Sequence, residues 1–427
     1  MNKSKWTDST AAKEIISRIA KLKLKANQSC MMLLTHNNYK SAFDSAGFDN
    51  YLMLLKELVR FDGSVPESLK QSLVKQAVWR SADDDKLHDG YVSNMLKIIE
   101  AEYLEKPFEK YNLVTGVSIV GLKRTRVIKT SKAIIKITNS LPKKFKKTYD
   151  FKEVSSLYPK LDNKSYSWVV VEVNARCIHS AAEIALEQLD YWRGIFNLYF
   201  NYNQTRTSFH KPSPINKISK YPYHSIHLDN GDRATPLYWF DQNFNYDFSS
   251  LDVSGKYAKA NVFYKKLSRG ICNSGYISFF INILNRYSTA LDTTNMNSSF
   301  LAMWSLLESL TFSGQDNYDV TIARTLVLFT DKFKVEQELK ILRNKRNMAI
   351  HSGNQFEEAE KYAYILMNYI HEYIFFLVNA ISKSESIEHL KATLDLPLSR
   401  VKLTEIRKKL KSEIKSLDLI ENLINIK

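Results

Sequence analysis

The chain has few residues that break regular structure and few that form disulfides. Its 427 residues include only 12 glycines, 9 prolines and 3 cysteines. So few glycines and prolines argue against a turn-rich all-β fold and favour helices. The cysteines are scattered and form no CxxC pair or His/Cys cluster, which fits a reducing compartment and gives no framework for a structural zinc site.

Other signals are absent as well. No apolar run reaches the roughly 18 residues of a membrane-spanning helix, and the N-terminus lacks the apolar stretch of a signal peptide. We therefore expect a cytoplasmic protein with no membrane association. The GxSxG, P-loop, HExxH and GxGxxG patterns are also missing, so no cofactor and no metal is predicted.

Basic residues are in excess. The formal net charge is +16, and the isoelectric point is near 9.4. Such a balance favours a polyanionic partner, with nucleic acid first and an anionic membrane surface second. A basic protein that is merely soluble is the plain alternative.

The texture of the sequence changes along the chain. Residues 1–110 show helical spacing of apolar residues, whereas 111–256 mix strand-like alternation with one long helix and polar loops. Residues 257–399 are helical throughout, and 400–427 form a basic amphipathic end helix that binds RNA, packs on a partner or is simply solvated. The predicted fold class is α+β and mainly α, with a mixed N-terminal region followed by a C-terminal helical bundle.

Finer elements are predicted within these regions. Val114–Gly121 and Arg126–Thr138 are expected to form a pair of strands, followed by a strand at Ser167–Asn174 and a helix at Ser180–Tyr202. The helices of the C-terminal region are expected at 257–268, 275–291, 298–313, 319–331, 335–352 and 355–382.

One helix carries a charge where its pattern calls for an apolar residue. On a wheel of about 100° per residue, Arg346 falls in the middle of an apolar arc. An arginine there needs a partner or a function, because an unpaired buried charge costs several kcal/mol. The residues of the arc are Val335, Leu339, Leu342, Ala349 and Ile350.

Polar residues follow the edge of the same arc. Arg343, Asn347 and His351 are spaced i, i+4, i+8, and Gly353 offers a C-cap that places His351 in the last turn. Glu308 also lies inside an apolar arc, between Leu301 and Trp304. We expect Glu308 to face this helix and to pair with Arg343 or Arg346, either to support a site or only to fix helix register.

These side chains suit one reaction in particular. Arginine binds phosphate with a permanent planar charge, and histidine exchanges protons near neutral pH. RNA carries its own nucleophile, the ribose 2′-OH, so a base, a cation and an acid suffice to cut it without a metal. One histidine per chain does not supply both the base and the acid. Two chains that meet along these helices would supply two histidines and two arginines to a composite site.

The motif resembles that of a known superfamily. Arg346-Asn347-x-x-x-His351 is similar to the R-x(4–6)-H motif of HEPN proteins, and the surroundings resemble the Apea-like HEPN group. Those surroundings include Trp304–Leu310 with its glutamate and Ile322-Ala323-Arg324, and the resemblance covers roughly residues 270–382.

The resemblance implies a metal-independent endoribonuclease that is active as a homodimer through the bundle. Arg346 and His351 would be catalytic and Asn347 a positioning residue. Arg343 is not part of the motif and is added on helix geometry alone as a candidate phosphate contact, and Glu308 is added as a supporting residue because of its expected ion pair. Such proteins serve as anti-phage defence or toxin effectors, which makes RNA, including tRNA, the expected substrate. Some members carry a tyrosine two residues after the histidine that a partner modifies; Gly353 stands there instead, which puts that control in doubt.

The remaining residues leave alternatives open. By analogy, residues 1–256 would sense a phage or protein trigger or bind substrate. The competing hypothesis is a non-catalytic RNA-binding or scaffold protein with a HEPN-like bundle. A metal site built from His210, His224 and His227 lacks any helical or CxxC framework and is not expected.

Overall fold

The structure, a computed structural model, describes most of the chain. It covers residues 4–30, 47–202, 204, 215–241, 244, 246, 250–314, 318–353, 355–397 and 399–425. Helices predominate and strands form small sheets, so the predicted mainly helical α+β class is confirmed.

The N-terminal part is a small helical layer with its own core. Two-residue strands, β1 (Lys5–Trp6) and β2 (Val59–Arg60), pair antiparallel beside the helices. The core contains Ile16, Leu52 and Val78, which are essentially inaccessible to solvent. Its helices are α1 (Ser9–Cys30), α2 (Asp49–Glu57), α3 (Glu67–Asp83) and α4 (Asp89–Glu105).

A six-stranded antiparallel sheet follows, in the order β5-β6-β7-β3-β8-β9. A separate parallel pair joins β4 (Ile119–Val120) to β10 (Leu251–Asp252). The strands of the sheet are β3 (Glu109–Val117), β5 (Arg126–Lys129), β6 (Ala133–Thr138), β7 (Ser167–Ala175), β8 (Tyr223–Leu228) and β9 (Arg233–Phe240).

The strand predicted at Arg126–Thr138 is wrong in one respect, because the segment folds back as a hairpin of β5 and β6. The reversal occurs at Thr130, whose hydroxyl accepts a hydrogen bond from the Ala133 amide at 3.0 Å. Its own amide donates to the Ala133 carbonyl at 2.9 Å. Threonine side chains satisfy backbone groups in turns in this way, and alternation alone does not reveal it.

The two faces of the sheet are covered differently. Helix α6 (Ile178–Phe200) packs across one face, where Val169, Val171 and Ile135 are fully buried. The other face carries an aromatic cluster that includes Phe145 and Tyr223, under the short helix α5 (Phe151–Leu157). Period-two alternation along β7 directs successive side chains into these two cores, with Val169 and Val171 on the side of α6 and Val170 in the aromatic cluster.

A helical bundle completes the fold. Each C-terminal helix predicted from the sequence overlaps one observed helix, with ends shifted by up to five residues. The observed helices are α7 (Tyr257–Asn273), α8 (Ile277–Asp292), α9 (Met296–Leu310), α10 (Tyr318–Leu326), α11 (Lys332–Ser352), α12 (Ala359–Ala380), α13 (Ile387–Leu394) and α14 (Arg400–Asn425). Of these, α13 was not among the predicted spans.

One hydrophobic core runs from the sheet through α6 into the bundle. It joins Leu113 on β3 to Trp192 on α6 and to Leu366 on α12. The segment Ala359–Lys383 is long and apolar enough to cross a membrane by length and composition, but 56% of its most apolar window is buried inside the fold. A core helix that packs inside a fold passes the same test of length and composition.

A buried ion network pins α6 to the bundle. Arg193 is completely buried, and its guanidinium binds the carboxylates of Asp190 and Asp292. Its Nε also donates to the Ile218 carbonyl at 2.9 Å. Lys220 adds a second cation, 2.9 Å from Asp190. Burial raises the pKa of Asp190, but the charges of Lys220 and Arg193 outweigh it and hold that pKa below its usual value.

Three buried histidines are held neutral. Burial lowers the pKa of His224 to about 3, of His227 to about 4 and of His371 to about 3. His224 Nδ1 lies 2.7 Å from the Thr115 hydroxyl, and His371 Nε2 lies 2.6 Å from the Tyr287 hydroxyl. Each ring is part of the core and loses stability when it is charged.

These rings predict acid-sensitive stability. Because their folded pKa values lie below the unfolded value of 6.5, the unfolded chain binds more protons as pH falls from 6.5 to 4. The free energy of unfolding should therefore drop by about 1.4 kcal/mol per pH unit for each of the deeply buried His224 and His371. Urea unfolding across this pH range measures the slope, and His389→Ala, an exposed-site control, should leave it unchanged. A stability that stays flat down to pH 4 would contradict the assignment.

Candidate functional site

Helix α11 is anchored to the bundle by its first three turns. Val335, Leu339 and Leu342 are buried, as the apolar arc predicts. Asp331 caps the start of the helix by accepting a hydrogen bond from the Lys334 amide at 3.1 Å. This part of α11 therefore forms a fixed base for the residues that follow.

Beyond Leu342, no described residue of α11 is buried. Arg346 and Ala349 are half-buried, and Ile350 is 49% exposed. The prediction that Ile350 lies in the core is wrong, because among the residues that the structure describes no element covers this end of the arc. Arg346 consequently lies at the surface of the bundle and not inside it.

The end of the helix is as predicted. Gly353 adopts a left-handed backbone, with φ of 62°, and forms the C-cap. His351 stands in the last turn with an exposed side chain. Asn347 lies one turn before it on the same side, whereas Arg346 is about 140° around the helix from His351. The Arg346 Nη1 donates a hydrogen bond to the Asn347 Oδ1 at 3.3 Å.

The predicted ion pair of Glu308 with Arg343 or Arg346 is wrong. Glu308 instead accepts a hydrogen bond from the indole of Trp304, 2.7 Å away on the same face of α9. Arg343 Nη1 lies 2.6 Å from Asp319 in the first turn of α10. Glu308 therefore bonds to a residue one turn away on its own helix, and Arg343 to a residue on the adjacent helix α10.

Arg324, which was named from the sequence only among the surroundings of the motif, is a buried arginine that fixes α10. Arg324 binds Asp395 through two hydrogen bonds of 2.7 and 2.8 Å. Its Nη1 also donates to the Thr311 carbonyl at 2.8 Å. The Arg324 hydrogen bonds hold the pKa of Asp395 below its usual value. The network ties α10 to the end of α9 and to α13, and so holds Asp319 opposite Arg343.

Large apolar side chains are exposed on the same side of α11 as His351. Phe333 is 75% exposed, Ile341 49% and Met348 47%. With His351 they fall within about 80° of one another around the helix. This face could have been predicted from the sequence, because Phe333, Ile341 and Met348 are spaced by eight and seven residues. The predicted apolar arc is instead centred on Arg346, on the opposite side of the helix. An uncovered apolar face therefore borders the candidate site.

The histidines that were considered as metal ligands, His210, His224 and His227, do not form a metal site in the part of the chain that the structure describes. His224 and His227 are buried, and His227 Nε2 lies 2.9 Å from the Ser225 hydroxyl. His210 lies outside the described residues. Among the residues that the structure describes, no group of three His, Cys, Asp or Glu side chains is arranged to hold a metal ion.

An open cavity of about 670 Å³ lies at the edge of the sheet, away from α11. Phe108, Lys110, Lys129 and Lys132 line it. Two of these cations are paired, since Lys110 lies 3.0 Å from Asp229 and Lys132 lies 3.6 Å from Glu187. The cavity contains none of the residues predicted for the site.

Comparisons with protein-family models, curated proteins and solved structures found no match. The candidate site therefore rests on the residues and geometry of this chain.

The left-handed cap predicts a local effect of Gly353→Ala. A Cβ at this position meets no atom within 4 Å, so only backbone strain changes. Strain of about 1 kcal/mol should fray the last turn of α11 and speed amide hydrogen exchange there by about fivefold. Gly63→Ala is the matched control, because its Cβ also meets open space and its φ is not left-handed. Unchanged exchange around His351 in Gly353→Ala would show that the cap does not order this turn.

Proposed function

We propose that the chain is a metal-independent endoribonuclease with Arg346 and His351 as catalytic residues and Asn347 as a positioning residue. The observation that carries this proposal is the placement of His351, exposed in a capped last turn with Asn347 one turn away. The resemblance of Arg346-Asn347-x-x-x-His351 to the HEPN motif gives those residues their roles. The net charge of +16 suits a polyanionic substrate.

The reaction uses only groups that RNA and these side chains supply. A neutral His351 takes the proton of the ribose 2′-OH, and the 2′-oxygen attacks phosphorus. Arg346 stabilises the charge that develops on the phosphorane oxygens. The bond from phosphorus to the 5′-oxygen breaks, and a protonated histidine gives that oxygen its proton. The products are a 2′,3′-cyclic phosphate and a 5′-hydroxyl.

The base and the acid are two histidines, which requires two chains. Within one chain Arg346 and His351 project about 140° apart, so one helix end does not surround a phosphate. A two-fold axis beside α11 would bring two copies of each residue together. The exposed Phe333, Ile341 and Met348 beside His351 give that homodimer an apolar contact surface.

The wider role follows from the resemblance. We propose an anti-phage defence or toxin effector that acts in the cytoplasm on RNA, with tRNA as one candidate substrate. Residues 1–256 would sense a phage or protein trigger or bind substrate. Glu308 on α9 and Arg343 on α11 would support the site. Glu308 is held by its hydrogen bond from Trp304, and Arg343 by its ion pair with Asp319.

A non-catalytic RNA-binding or scaffold protein is the second candidate. Two observations favour it. Arg343 already forms an ion pair with Asp319, and the residues that line the 670 Å³ cavity are distant in sequence from the motif. On this hypothesis the basic surface holds RNA, and Arg346 and His351 are structural.

Cleavage of RNA by the purified chain tests the first proposal. We expect cleavage in the presence of EDTA, and a loss of about 10²–10⁴-fold in His351→Ala and in Arg346→Ala, since each removes a group from the transition state. An RNA with one 2′-deoxyribose at the cleaved position should resist cutting there. Mass spectrometry should find the 2′,3′-cyclic phosphate.

Matched controls separate catalysis from folding. His389→Ala removes an exposed histidine on α13, and Lys340→Ala removes a cation two turns earlier on α11; both should cut RNA as well as the wild type. Full cleavage by His351→Ala, or products with a 5′-phosphate, would refute the mechanism. RNA binding without cleavage in the wild type would favour the scaffold hypothesis.

A further inference from the structure

Helix α14 leaves the body of the protein without a partner in the described chain. It runs for 26 residues, Arg400–Asn425, which is about 39 Å of helix. Apart from the half-buried Ile406, every described side chain on it is exposed. In proteins most helical stability comes from the packing of an apolar face, so we expect a partner to cover this helix.

The helix carries a seven-residue apolar repeat. Leu403, Leu410, Leu417 and Ile424 follow one another at intervals of seven, and they are 38–66% exposed. Ile406 and Ile420 occupy the intermediate position three residues after the first and third of them. This is the a/d pattern of a coiled coil, and its period of 3.5 keeps one seam facing a partner helix.

We infer that α14 forms a two-stranded antiparallel coiled coil with α14 of a second copy of this chain. The occupant is a second copy because the two halves of the helix complement each other in charge. Residues 400–411 contain six lysines and arginines and one glutamate, whereas 412–425 contain three acidic residues and one lysine. Antiparallel pairing places the basic half against the acidic half, and parallel pairing places like against like.

The one polar residue in the seam also favours antiparallel pairing. Glu413 takes the intermediate position that Ile406 and Ile420 take elsewhere. In a parallel pair the two Glu413 carboxylates would share one layer. In the antiparallel register, in which Leu403 meets Ile420, Glu413 lies level with Leu410 of the second copy and close to the neighbouring Lys409 and Lys411. A polar seam residue of this kind specifies orientation.

Other partners fit the helix less well. RNA or an anionic membrane would attract the basic half, but Asp418 and Glu421 would repel it from the second half. RNA would also leave the seven-residue apolar repeat without a role. The inference does not rest on the proposed ribonuclease activity, because α14 contains none of the residues assigned to that site.

Sedimentation equilibrium of the full chain tests the pairing. On the background Ile341→Asp/Met348→Asp, which removes the contact surface proposed on α11, the full chain should remain a dimer, and Leu410→Asp/Leu417→Asp should reduce it to a monomer. Leu410→Ala/Leu417→Ala should do the same while keeping helix propensity, which separates lost packing from lost helix. Ser412→Asp/Asn422→Asp adds the same two charges off the seam and should keep the mass of the dimer. A monomeric background chain, or a double variant in the seam with unchanged mass, would overturn the inference.

Disulfide trapping tests the orientation, with Cys30, Cys177 and Cys272 replaced by serine. In the antiparallel pair the two copies of residue 420 lie about 25 Å apart along the helix, so Ile420→Cys alone should not cross-link. Mixing it with Leu403→Cys should give a cross-linked heterodimer. Efficient self-cross-linking of Ile420→Cys would show a parallel pair and overturn the antiparallel assignment.

Discussion

The fold depends on the ion network around Arg193, which lies where the sheet, α6 and the bundle meet. The guanidinium is fully buried and reaches a carboxylate on its own helix, another on α8 and the carbonyl of Ile218. Leaving one member of such a network unpaired costs about 3–5 kcal/mol, because the remaining charge stays out of water. The network therefore fixes α6 against α8, and with it the bundle that carries α11.

From that base, the candidate site is built outward. The first three turns of α11 pack on the bundle, while the last turns, with Arg346, Asn347 and His351, remain at the surface. A surface site without walls is a poor environment for catalysis, since solvent weakens every charge interaction in it. The exposed apolar residues along the same face supply a reason for a second chain to cover it, and a covered site would gain both walls and a second histidine.

Local features were predictable from the sequence because their causes are local. The helices of the bundle followed from period-3.6 spacing, and the cap at Gly353 followed from its place after the last periodic residue. The predicted ion-pair partners were wrong. Glu308 bonds to Trp304, and Arg343 pairs with Asp319. The deeply buried arginines are Arg193 and Arg324, and their partners Asp292 and Asp395 lie 99 and 71 residues away in sequence. Periodicity assigns a residue to a face, but it does not say which element covers that face or where cover ends, as Ile350 shows.

In the function that we propose, two chains share one ribonuclease site. Mixing wild-type chains with an equal amount of His351→Ala chains, under conditions in which subunits exchange, tests it most directly. If each site needs a histidine from both chains, mixed dimers are inactive and cleavage per total chain falls to about a quarter of the wild-type value. If each chain carries a complete site, cleavage falls only to about half, and that result would contradict the account.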